Sequence, residues 1–163
     1  MTPAPKTEKT VKTKPIKSRL MGLAASRPKN KSKKVQPAVQ RKKLIAGLDL
    51  LWSKIVHKRW GEKCGWPGCA NCGNLSAHHF LGKKAYGMKA RYELNNGILL
   101  CFYHHIGRVH QQGDTEPVRA EIIKRIGLGK FERMVAEVRE VWKPTIEELL
   151  ELKERLSTEL EAK

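Results

Sequence analysis

Acidic side chains are nearly missing from the opening of this chain. Residues 1–43 carry 14 Lys or Arg against a single acid, Glu8. The same stretch lacks aromatic residues and has few branched aliphatics, so it cannot bury enough apolar surface to offset the entropy of ordering, and disorder is its expected state. No stretch approaches the roughly 20 apolar residues of a membrane span. Leu20 to Ala25 is too short for the apolar core of a secretory signal. Cysteine is scarce as well: four residues, all between positions 64 and 101 and close to histidines. With no export signal in view, that clustering argues for metal binding in a reducing cytoplasm and against a disulfide framework. No internal repeat is visible.

What is present is charge. The 163 residues have a formal net charge of +17 and a pI near 10.0, which points to a polyanionic partner. The length suggests one domain with appendages. Beyond residue 43 the remaining 120 residues hold 19 basic and 15 acidic side chains, so the basic character belongs mainly to a tail. Such a tail adds non-specific affinity by counterion release, but it does not choose between DNA and RNA.

Three pieces follow the tail at residues 1–43. Leu48, Leu51, Trp52, Ile55, Val56 and Trp60 recur at helical spacing and predict a helix from about Leu44, or from Asp49 as N-cap, to Trp60, with Gly61 as its stop. It leads into a core over 44–113. Short apolar runs at Leu75 to Phe80 and Ile98 to Leu100, bounded by Gly and Asn, read as two strands. Between them Gly82 to Arg91 reads as a basic loop. A helical extension over 114–163 completes the chain. Asp114 or Thr115 caps a helix to about Ile126. Gly127 and Gly129 break it, and a second helix carries Leu128, Phe131, Met134, Val135, Val138, Val141 and Trp142 as far as Pro144. Thr145 with Glu148 three places on is a capping box for a last helix, striped by Leu149, Leu152, Leu156 and Leu160. That stripe suits packing on the core, and it also suits a partner or a second copy in a homodimer.

A core of about 50 residues is small, and small cores commonly recruit a metal. Cys64, Cys69, Cys72, Cys101 and His104 are the candidates, and tetrahedral zinc needs four. Cys101-x2-His104 places two ligands at a helix start. Cys69-x2-Cys72 is the more familiar knuckle spacing, but from Cys72 only five residues remain before His78. The reading therefore favours Cys64, Cys69, Cys101 and His104, with Cys72 as the alternate and the all-thiolate set as the competitor.

Five of the six histidines fall within the 33 residues from His78 to His110. Adjacent residues in a strand point to opposite faces, so His78 and His79 should have separate roles. Neutral imidazole can bind a divalent ion or take a proton from water. His105 follows directly on a zinc candidate and is thereby held in place. His110, five residues further, does not share a face with it on an α-helix. His57, on the first helix, reads as a surface residue.

Taken together, Cys64, Cys69, Ala77-His78-His79-Phe80, Asn96-Gly97-Ile98-Leu99-Leu100-Cys101 and His104-His105 resemble the HNH endonucleases, the ββα-metal nucleases, in the zinc-containing form common in bacteriophages. The likeness takes in Leu48-Asp49-x2-Trp52 and covers about residues 48–112. It implies an α+β fold: a small ββα-metal core with a structural zinc, flanked by helices. It also implies a phage-encoded, metal-dependent enzyme of the host cytoplasm that nicks or cleaves DNA, beside packaging or recombination proteins. His78 and His105 would hold one catalytic ion, Mg²⁺ or Mn²⁺. His79 would be the general base, oriented by Asn96. Lys83, Lys84, Lys89 and Arg91 would contact DNA. The alternative is a zinc-stabilised nucleic-acid-binding module that does not cut.

Overall fold

The computed structural model describes residues 36–70 and 73–162. The basic tail as far as residue 35, and the zinc alternate Cys72, lie outside the described residues. The element order is α1 (Pro37–Trp60), β1 (Leu75–His79), α2 (Lys83–Tyr92), a 3-10 turn (Leu94–Asn96), β2 (Gly97–Cys101), a π-helix (Tyr103–Gln111), α3 (Glu116–Ile126), α4 (Leu128–Glu137) and α5 (Ile146–Glu161). The architecture is thus mixed, with helices around one small antiparallel sheet. No helix among the described residues is long and apolar enough to cross a membrane.

β1 and β2 pair in a register that sets Leu75 against Cys101 and His79 against Gly97. Every residue of β2 is buried, because helices cover both faces of the sheet. On one face Ile98 and Leu100 join Val109, Val118, Ile122, Phe131 and Met134. On the other, Leu99 joins Leu48, Trp52, Ile55 and Val56 of α1 and Leu149, Leu152 and Leu156 of α5. A strand buried on both sides reads as an unbroken apolar run, as Ile98-Leu99-Leu100 does.

Several boundaries differ from expectation. The first helix begins at Pro37, with proline in its first turn, a position where its missing N–H costs nothing. Residues 37–43 therefore belong to α1 and not to the tail. The extra turns are tied down where Arg41 donates to the Pro144 carbonyl oxygen. The segment read as a basic loop is instead α2, broken at Gly87, whose φ of 74° and ψ of −152° suit only glycine. α4 stops at Glu137, short of Trp142. Val138 packs in the first cluster while Trp142 packs on the α1–α5 cluster, and a straight helix cannot serve both. The last helix starts as expected: Glu148 N–H donates to Thr145 Oγ1 at 3.2 Å and Thr145 N–H to Glu148 Oε2 at 2.6 Å. Its leucine stripe is used within the chain, against α1.

Candidate metal centres

Two groups of metal-binding side chains flank the start of the π-helix. The first is Cys64, Cys69, Cys101 and His104, whose ligand atoms all lie within 4.8 Å of one another. Cys64 precedes a tight passage at Gly65, whose N–H donates to the Leu99 carbonyl oxygen at 2.6 Å. A Cβ at Gly65 would sit 2.7 Å from Trp60 and 2.8 Å from Ile98, so glycine lets the knuckle lie against the sheet. Cys101 ends β2. His104 Nδ1 lies 3.2 Å from Cys101 Sγ and 3.6 Å from Cys64 Sγ, and its ring stacks on Trp66 with centroids 4.5 Å apart. Around one tetrahedral zinc with bonds of about 2.0–2.3 Å, ligand atoms stand roughly 3.6 Å apart. Burial pushes the Cys64 thiol up to about 11, with Cys69 and Cys101 adding to the rise. The Cys64 thiol therefore resists ionisation until a cation compensates the charge. These four side chains can hold a metal such as zinc.

The second group is His78, His105 and His110, again with ring nitrogens within 4.8 Å of one another. Ring centroids are 4.9 Å apart for His78–His105, 5.2 Å for His78–His110 and 4.9 Å for His105–His110. His105 and His110 converge because the helix is π-wound. Hydrogen bonding from i to i+5 brings residues five apart onto one face, where an α-helix would separate them. Burial, then repulsion from His105, His110 and His79, pushes the His78 imidazole down to about 3. Burial and the neighbouring His110 also lower His105. Both rings stay neutral, the form that offers a lone pair to a metal.

His79 faces the other side of β1, as the strand alternation requires. Its ring stacks on Trp52, centroids 3.7 Å apart and planes 5° from parallel. Its Nε2 lies 2.9 Å from the Arg91 carbonyl oxygen. A carbonyl only accepts, so Nε2 carries the proton and Nδ1 keeps the lone pair. Among the described residues Nδ1 has no hydrogen-bond partner and no buried side-chain nitrogen is left unsatisfied, so this lone pair opens to solvent. Burial lowers the affinity of the His79 imidazole for a proton. Asn96, fully buried, donates through Nδ2 to the Leu81 and Ala90 carbonyl oxygens at 3.0 and 2.9 Å, and accepts from Leu81 N–H at 2.7 Å. It ties the end of β1 to the end of α2, next to the carbonyl that holds His79.

The basic segment is less free than its composition suggests. Arg91 grips Asp49 of α1 with two hydrogen bonds, 2.7 and 2.5 Å, and Lys89 pairs with Glu140. Lys83 and Lys84 are exposed. His57 is half-buried and bonds Glu62 at 2.8 Å. The sequence places Asp49 and Trp52 on the first helix and within the resemblance, but assigns neither a contact to Arg91 or His79. The available signal was their three-residue spacing, which sets both on one face of α1. Comparison with protein families, with curated proteins and with solved structures finds no match to this chain.

Proposed function

We propose that this chain is a metal-dependent endonuclease of the HNH type, hydrolysing phosphodiester bonds in DNA, with a structural zinc at Cys64, Cys69, Cys101 and His104. The observation that carries the reading is the convergence of three imidazoles, His78, His105 and His110, beside a fourth, His79, whose solvent-facing nitrogen is its unprotonated one. His78, His105 and His110 would hold a divalent ion, which supplies charge stabilisation at the leaving 3′ oxygen. His79 Nδ1 takes a proton from water, and the bond from Nε2 to the Arg91 carbonyl stabilises the imidazolium that results. Asn96 keeps the loop that presents this carbonyl in place. An all-imidazole set suits Mn²⁺ better than Mg²⁺, which prefers oxygen ligands and keeps its waters. Phage origin and work beside packaging or recombination proteins belong to the same proposal through the resemblance alone.

Plasmid nicking with added Mn²⁺ or Mg²⁺, with and without chelator, tests it. The expected result is nicking that needs the metal, is faster with Mn²⁺, and falls by at least about 100-fold in His79→Ala with the melting temperature retained. Tight DNA binding with no cleavage under any metal would overturn the enzyme and leave the zinc-stabilised binding module.

A further inference from the structure

We infer that α1 acts as a brace for the His79 ring, with Trp52 and the Asp49–Arg91 pair as positioning residues that select its Nε2–H tautomer and fix its plane. The kinetic consequence rests on the nuclease reading above; the tautomer does not. Two contacts from one helix face meet the same imidazole. The indole of Trp52 lies flat on the ring, 3.7 Å between centroids. Trp52 cannot drift, because it is buried to 2% exposure and its Nε1–H donates to the Glu93 carbonyl oxygen at 3.2 Å. One turn earlier, Asp49 holds the Arg91 guanidinium by both oxygens. That anchors the residue whose backbone carbonyl accepts from His79 Nε2.

The two contacts do different work. The stacked face stops the ring from tilting, and the carbonyl at its edge decides which nitrogen bears the proton. A half-turn of the ring would set a carbon against that carbonyl and withdraw the lone pair from solvent. The close approach that stacking needs is built into the sheet as well. Gly97, paired with His79 in register, leaves room that a Cβ would take from Trp52, at 2.9 Å from its ring. Packing alone asks neither for a plane parallel to within 5° nor for a bidentate ion pair on the same helix face.

The test uses the zinc-loaded full chain with ¹⁵N-labelled histidine, at a pH where the ring is neutral. Wild type should show a single His79 tautomer, protonated at Nε2. Asp49→Ala, at a half-buried position, should show mixed tautomers with the melting temperature retained. Trp52→Phe keeps an aromatic face and should keep the single form, whereas Trp52→Leu should lose it. In the nicking assay Asp49→Ala and Trp52→Leu should lose roughly 10- to 100-fold in kcat, the scale of a misplaced catalytic group, with KM nearly unchanged, and Trp52→Phe should recover most of it. A single unaltered tautomer with unaltered kcat in folded Asp49→Ala overturns the brace while leaving the nuclease intact. Mixed tautomers in Asp49→Ala with no cleavage by wild type leave the brace standing and sink the nuclease.

Discussion

At the residue scale, the His78 imidazole is the most perturbed base of the site, and its position has a consequence for stability. Buried at 8% exposure and facing two further rings, it is pushed from 6.5 down to about 3. The unfolded chain takes up a proton near pH 6.5 that the folded chain refuses until about pH 3. In that window the unfolded state binds more protons, so stability falls as pH falls. Urea midpoints should drop progressively from about neutral pH towards pH 4. They should drop less steeply in His78→Asn, with zinc bound equally in both proteins. An identical slope in the two would show that His78 is not held neutral by the fold.

At the element scale, the site depends on how closely α1 approaches β2. Gly97 begins the strand, and a Cβ there would collide with Val56 Cγ2 as well as with Trp52. Gly97→Ala should therefore cost about 1–3 kcal/mol by overpacking, read as a lower urea midpoint with an unchanged slope. The winding of the helix after Cys101 matters equally. Its i to i+5 pattern gathers His105 and His110 towards His78, while its first turn carries His104 to the thiols. One element thus supplies side chains to both groups that could hold a metal, and neighbouring residues 104 and 105 belong to different ones.

At the scale of the whole molecule, two apolar clusters on a two-stranded sheet make a thin core, of a size that commonly needs a metal. Loss of the Cys/His cluster should be felt throughout. Cys101→Ala should lose bound zinc and cooperative unfolding together, since a structural zinc contributes its binding free energy to folding. Cys72→Ala should keep both. Metal analysis beside thermal unfolding checks this; zinc retained in Cys101→Ala, or lost in Cys72→Ala, would refute the ligand set.

The sequence by itself determined the elements whose signals are local. The capping box at Thr145, the stop at Gly61, the break at Gly127 and the apolar run of β2 each depend on a few neighbouring residues. Strand alternation was enough to separate His78 from His79. The favoured four zinc candidates also came together, because Cys101 and His104 share one turn. Tertiary structure alone decided the rest. Whether Arg91 faces solvent or Asp49 depends on α1, 42 positions away in sequence. That His110 joins His105 depends on a π-winding that α-helical spacing rules cannot anticipate. The flat stack of Trp52 on His79 exists because α1 is pressed against a glycine in the opposite strand, and such closeness is a property of packed layers, to which no local stretch of sequence has access.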